Sequence, residues 1–206
     1  MPPRLLLIFF TLTFYVSAEA QKWELVKEKD GIKIYTQKED GTKLKGYKGV
    51  SYINAPASRV LDVIENVYNT DWWDKNLTQI RVLQYEKYKS SRYYLVYDLP
   101  WPVTDRDLCV VVKVETNSAT GVSKVMAGPL PGVIPEKSEM IRIKEYHQTW
   151  TIEPAGSNRS HVILEGFIDP EGTIPDWVSN WLIVDSPVKI IEGLRQKLEQ
   201  KSPAGK

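Results

Sequence analysis

Cysteine is nearly absent from this chain: Cys109 stands alone in 206 residues. No internal disulfide can form, which excludes a small, loop-rich domain stapled by bridges. Histidine is almost as scarce. His147 and His161 are the only two, and with Cys109 they show no metal-ligand spacing. Charge of one sign is not in excess either. Lys and Arg number 27 against 26 Asp and Glu, for a formal net charge of +1. That balance lacks the basic excess of a dedicated nucleic-acid binder, so no nucleic-acid partner is expected. Nucleophile elbow, phosphate loop and helical His-x-x-x-His pair are all missing. No catalytic residue, metal or cofactor is therefore assigned. Carboxylates are plentiful, so a carboxylate pair inside a cavity stays open as an alternative. Internal repeats, low-complexity blocks and Pro/Gly linkers are also missing, which points to one domain.

One long apolar run is present, and it sits at the start. Arg4 precedes Leu5 to Val16, broken only by Thr11 and Thr13, and Ser17-Ala18-Glu19-Ala20 supplies small residues where signal peptidase cuts. The run is short for a membrane span. The expectation is a signal peptide over residues 1–20, a domain over 21–201 and a frayed tail over 202–206. Export to the periplasm or outside the cell follows, with a bacterial source fitting the low cysteine count better than an animal one.

Past the leader, the hydrophobic period sorts the chain into segments. Trp23 to Lys29 reads as a short helix or strand. Ile32–Gln37 and Lys43–Tyr52 alternate as strands around the Glu39-Asp40-Gly41 turn. Asn54 or Ser58 opens a helix whose apolar face is Val60, Leu61, Val63, Ile64 and Val67. Six strands rich in Val, Tyr and Ile follow between Ile80 and Ile168. One of them, Ile141 to Ile152, is long enough to need a bulge or bend. Short turns between consecutive strands imply an antiparallel meander. The last element changes period. Trp177, Trp181, Val184, Val188, Ile191, Leu194 and Leu198 recur at steps of three and four, one face of a long helix. Pro187 interrupts it, with Ser186 placed to cap a fresh start, so a kink or break is expected there.

Four motifs in order carry a family resemblance. Asn69-Thr70-Asp71-Trp72-Trp73 follows the first helix. Pro100-Trp101-Pro102-Val103-Thr104-Asp105-Arg106-Asp107 precedes a strand. Ile141-Arg142-Ile143 leads to Thr149-Trp150-Thr151-Ile152-Glu153-Pro154. Asp169-Pro170-Glu171-Gly172 runs through Pro175 to Asn180 into the closing helix. From Trp23 to Leu198 the chain resembles START-like, helix-grip domains. The resemblance implies an α+β fold: a curved antiparallel sheet wrapped around a long C-terminal helix, with an internal cavity. It implies binding, and perhaps transfer, of a lipid or other apolar molecule without covalent chemistry. A cyclase- or hydrolase-like cavity enzyme and an interaction protein with a collapsed cavity are the alternatives. A monomer making transient membrane contact is expected.

Candidate site residues follow from these segments. Trp72, Trp73, Tyr97, Trp101, Trp150, Trp177 and Trp181 are placed on a cavity wall, against the alternative of ordinary core packing. Arg106 is either a lock for its loop or a partner for a polar head group. Arg142, flanked by two isoleucines, needs a partner if it faces inward, and Glu165 on the following strand is the candidate. Outward, it would sit on a solvated face. The proline-stiffened loop with Leu130, Val133 and Ile134 is a candidate lid or membrane contact, or else a packed connector. Cys109, inside an apolar strand, reads as an inert buried thiol.

Overall fold

The period-two segments become strands of a single sheet. The computed structural model describes residues 22–199, so the expected signal peptide and the tail 202–206 lie outside the described residues. Ten strands are present: β1 (Glu24–Lys29), β2 (Ile32–Lys38), β3 (Lys45–Ile53), β4 (Leu77–Glu86), β5 (Ser90–Tyr97), β6 (Arg106–Thr116), β7 (Ser123–Pro129), β8 (Ile141–Arg142), β9 (Tyr146–Pro154) and β10 (Ser160–Ile168). Their order across the sheet is β1-β2-β3-β10-β9-β7-β6-β5-β4, with β8 off the path beside β6. Neighbours are antiparallel apart from the short β6–β8 pair. The ambiguous segment before Lys29 is resolved as a strand. The long stretch Ile141 to Ile152 breaks into β8 and β9, as its length demanded.

Helix α1 (Ala57–Glu65) opens on Pro56, whose carbonyl accepts from the N–H groups of Arg59 and Val60. Val60, Leu61 and Ile64 are buried. At the other end of the chain, α2 (Asp176–Asn180), a π-helical turn (Trp181–Asp185) and α3 (Ser186–Glu199) run on continuously. No break stands at Pro187, and the irregularity expected there takes the form of the π turn just before it. A proline removes an N–H and crowds the preceding turn. The wider turn absorbs this: the N–H of Ser186 reaches Trp181 O, five residues back. Ser186 does not cap a new helix with its side chain, but donates to Asp74 Oδ2 at 2.9 Å.

That turn also shifts the apolar stripe. Val188, Ile191 and Leu194 face the core as expected. One extra residue per turn rotates everything before them. Val178, not Trp177, takes the buried position, at 0% exposure against 51%. Ile191 and Leu194 join Ile34, Ile152, Leu164 and Val60 in one core between sheet and helices. Gly49 lets α3 come close, since a Cβ there would stand 2.7 Å from Ile191 Cδ1. A curved antiparallel sheet gripping a C-terminal helix is thus the observed architecture.

Candidate functional site

Between sheet and closing helix lies an interior of two small lobes, of about 80 and 60 Å3. Leu95, Tyr97, Tyr146, Gln148 and Ile190 border both and form the waist between them. Strand alternation explains the walls. On β5, Ser91, Tyr93, Leu95 and Tyr97 point inward; on β9, Tyr146, Gln148 and Trp150 do. Tyr97 and Trp150 were the residues singled out in sequence. The same period of two, continued from them, would have found Tyr93, Leu95, Tyr146 and Gln148.

The first lobe is aromatic. Trp72 stands edge-on to Trp73 and Trp150, with centroids 6.0 and 6.3 Å away, and Trp73 tilts over Tyr93 at 5.9 Å. The indole N–H groups of Trp72 and Trp73 are buried and have no hydrogen-bond partner among the described residues. Buried donors are normally satisfied, so these two stand out. Asp74 is the one carboxylate on either wall. It is held by the Asn76 N–H and the Ser186 hydroxyl, and no carboxylate pair is assembled. At the waist, the Tyr146 hydroxyl donates to Gln148 Oε1 at 2.6 Å. Burial pushes Tyr93, Tyr97 and Tyr146 well above the usual phenol range, so they stay neutral donors.

The second lobe holds a cation. Arg106 is 2% exposed and faces it beside Leu108, Ile143 and Trp181. Its Nε donates to Pro170 O and its Nη2 to Glu171 O, both at 3.0 Å, and Nη1 reaches Thr104 O. No acidic side chain forms an ion pair with it among the described residues. The adjacent Asp105 instead accepts the Leu99 N–H. Burial lowers the guanidinium's pKa from its ordinary value, yet arginine keeps its charge in proteins. The fork also fixes a strained turn: Glu171 has φ +55° and its N–H bonds Asp169 Oδ1.

Several expected site residues stand elsewhere. Trp101, which precedes the cis bond to Pro102, is 91% exposed, and Trp177 is half-exposed; neither lines a lobe. Arg142 is buried, but on the outer face of the sheet. Its partner is Asp107, not Glu165, with Nε–Oδ1 at 2.7 Å and Nη2–Oδ2 at 2.9 Å. The reason is topological: β8 pairs with β6, far across the sheet from β10. Glu165 pairs with Lys48 at 2.6 Å on the neighbouring β3. Tyr94 completes the outer cluster by donating to Asp107 Oδ2 at 2.8 Å. Burial and that bond push the Tyr94 phenol up to about 12. Burial works to raise Asp107 as well, but the bonds from Arg142 and Tyr94 outweigh it and hold the carboxyl below its usual range.

The proline-rich loop belongs to this outer cluster. Leu130 and Ile134 pack on Tyr94, Val96 and Cys109, and Arg142 donates to Ile134 O and Pro135 O. Val133 is exposed, and none of the three borders a lobe. The loop is a connector pinned to the convex face. His147 stacks on Phe167 and His161 meets Glu153, both away from the cavity walls. Cys109 is buried, and burial raises its thiol.

Comparison with known proteins gives consistent relatives. The START domain family model matches residues 15–203. An uncharacterized protein of Pseudomonas aeruginosa is 32% identical over 90% of this chain and 91% of its own length. The phosphatidylcholine transfer protein of Bos taurus is 30% identical over 77% of this chain and 76% of its own. Among solved structures, a fragment of a STAR-related lipid transfer protein from Xanthomonas axonopodis superposes with a TM-score of 0.77. It is 26% identical and covers 86% of this chain and 99% of that one.

Proposed function

Because this chain belongs to the START domain family, we propose that it holds one amphipathic lipid in its interior and passes it between membranes, without covalent chemistry. The observation that carries the reading is Arg106: a buried arginine on an apolar lobe, hydrogen-bonded to carbonyls, with Asp105 acting on it only through space. Such a cation is complemented by a phosphate or carboxylate head group. The free indole N–H groups of Trp72 and Trp73 offer two donors to a further ligand oxygen in the first lobe. The lipid-transfer relatives support the substrate class.

The lobes are small beside the ~300–1,000 Å3 of ordinary ligand sites, so a lipid is admitted only when a wall moves. The closing helix is that wall. Beside its buried face and the Ser186–Asp74 bond, it is tied to sheet and loops by Arg195 on Asp30 O and by the partly exposed ion pairs Lys27–Asp185, Lys29–Glu192 and Lys197–Asp71. Exposed pairs of that kind are screened by water and salt and hold the helix only weakly. The π-helical turn, which borders the second lobe through Trp181 and Leu182, is the natural place to flex. A lipid leaving water gains about 0.8 kcal/mol per methylene. One leaving a bilayer exchanges one apolar place for another, so head-group contacts decide selection. The same proposal has the protein exported by its Arg4–Ala20 leader; a mature N-terminus at Gln21 checks that.

The test is lipid extraction and mass spectrometry of the purified protein, followed by transfer of fluorescent lipid between vesicles. Arg106→Gln should weaken binding of phosphate-headed lipid tenfold or more, by loss of a charge-assisted bond worth about 1.5–3 kcal/mol. A head-group-free diacylglycerol should be affected less. No co-purifying lipid and no uptake across a lipid panel would sink the proposal.

A further inference from the structure

The C-terminal end of α1 carries the wrong charge for its place. Residues 60–74 hold Asp62, Glu65, Asp71 and Asp74 and no Lys or Arg, and the last turn of α1 has no basic residue. A helix C-terminus is the negative end of its dipole and favours cations. Asp71 pairs with Lys197, and Asp74 is held by the Asn76 N–H and the Ser186 hydroxyl. Asp62 and Glu65 form no ion pair among the described residues. Glu65, 5% exposed, accepts instead from the Tyr85 hydroxyl at 2.8 Å and from the Tyr88 N–H at 3.3 Å. Asp62 Oδ1 accepts from the Tyr88 hydroxyl, which leaves its Oδ2 without a hydrogen bond among the described residues.

Aromatic faces stand around these carboxylates. Tyr68 meets Tyr85 edge-on, with 5.4 Å between centroids. Tyr68 and Tyr88 are 69% and 46% exposed. Tyr88 occupies the β4–β5 turn at φ +56°, a conformation that a bulky residue keeps only when it is held there. The bonds to Glu65 and Asp62 hold it. One cation already shows what the faces prefer: Lys87 Nζ stands 4.7 Å over the Tyr88 ring and acts on Asp62 and Glu65 only through space. Projecting rings offer faces and not an enclosure, so they suit a side chain delivered by a larger partner better than a free small cation. A guanidinium fits best, because it is flat, stacks on tyrosine and forks onto a carboxylate. We propose that Tyr68, Tyr88 and Asp62, with Glu65 behind them, form a docking patch for an arginine of a partner protein, which takes the place of Lys87 on the Tyr88 ring. The patch does not depend on the reading of the cavity as a lipid site.

The experiment follows backbone amide shifts by NMR as the isotope-labelled protein is titrated with a capped pentapeptide bearing one central arginine. Its lysine and glutamine counterparts and tetramethylammonium chloride are the comparisons. The arginine peptide should give saturable shifts at residues 62–69 and 85–88, with a Kd on the order of millimolar. The lysine peptide should bind several-fold more weakly, and the glutamine peptide should not bind. Tyr68→Ser and Tyr88→Asn should each weaken the arginine peptide about two- to fivefold, the loss of one exposed cation–π face. Asparagine tolerates the left-handed turn, so that variant keeps the hairpin. Asp62→Asn should erase the advantage of arginine over lysine, which a purely structural role for Asp62 would not do. Shifts that fail to saturate or centre elsewhere, an equal response to the glutamine peptide, or undiminished binding by Tyr68→Ser/Tyr88→Asn would overturn the proposal. Tetramethylammonium binding as tightly as the arginine peptide would overturn it too, and would give the patch to small cations instead.

Discussion

Replacing Arg142 with methionine should cost folding stability and spare lipid binding by the molecules that remain folded. The guanidinium makes two bonds to Asp107, at 2.7 and 2.9 Å. Without it, a carboxylate that is 1% exposed keeps a single side-chain partner, the Tyr94 hydroxyl. Stranding one member of a buried ion pair costs about 3–5 kcal/mol. In a domain of this size each kcal/mol lowers the midpoint by roughly 2–4 °C, so a fall of about 6–20 °C is expected. Ile134 and Pro135 also lose a donor, but their loop edge is open enough for water to replace it. Thermal unfolding followed by circular dichroism gives the first number, and lipid binding measured well below the lowered midpoint gives the second. Adding Asp107→Leu should restore much of the loss, since an apolar pair of similar size often replaces a buried ion pair at little cost. A variant that melts within about 2 °C of wild type yet binds lipid poorly would refute the placement of Arg142 outside the cavity.

Three further outcomes follow from the same geometry. Asp107 is held below the usual carboxylate range, so its contribution to stability is complete above an unfolded-state value of about 3.9 and is lost as pH falls through the folded one. Acid titration of unfolding should therefore be steeper below about pH 4 for wild type than for the Arg142→Met/Asp107→Leu pair. Ile191→Ala, at a fully buried position between helix and sheet, should cost about 2–5 kcal/mol in denaturant unfolding. Gly193→Ala would drive a Cβ into the Trp72 carbonyl. It should lift α3 from the Trp72 loop and lower stability by about 1–3 kcal/mol despite alanine's better helix propensity, as denaturant unfolding would register.

The strands and the closing helix were legible because their signals are local. Alternation on β5 and β9 set which residues face inward, and steps of three and four marked Val188, Ile191 and Leu194. Tyr97, Trp150, Trp181 and Arg106 line the lobes for that reason, while Trp72, in the loop after α1, reaches its lobe by stacking on Trp73 and Trp150. The misplacements came from what lies beyond local period. Arg142 needed a buried partner, but alternation reports only the face of a strand, not its neighbour, and β8 turned to β6. Trp177 kept helical spacing with Trp181, yet a π turn displaced it by one position. Trp101 is apolar by type, but a residue type carries no information on whether its loop folds over the sheet or away from it. The lobe volumes were beyond sequence altogether, because they depend on how Trp72, Trp73 and Trp150 stack.

The sheet has two outer strands, and the irregularities in its ladder fall on them. β1 slips register between Leu25 and Lys27, and β4 slips between Leu77 and Gln79 and again between Val82 and Gln84. The interior pairs run in unbroken register. An outer strand with an unbroken row of free N–H and C=O groups is a template on which another chain can crystallise. Bulges interrupt that row and twist it out of plane. Lys27, Lys29, Arg81 and the flanking glutamates further discourage stacking. The same guarded margins would keep the sheet from zipping onto a neighbour during the helix movement proposed above.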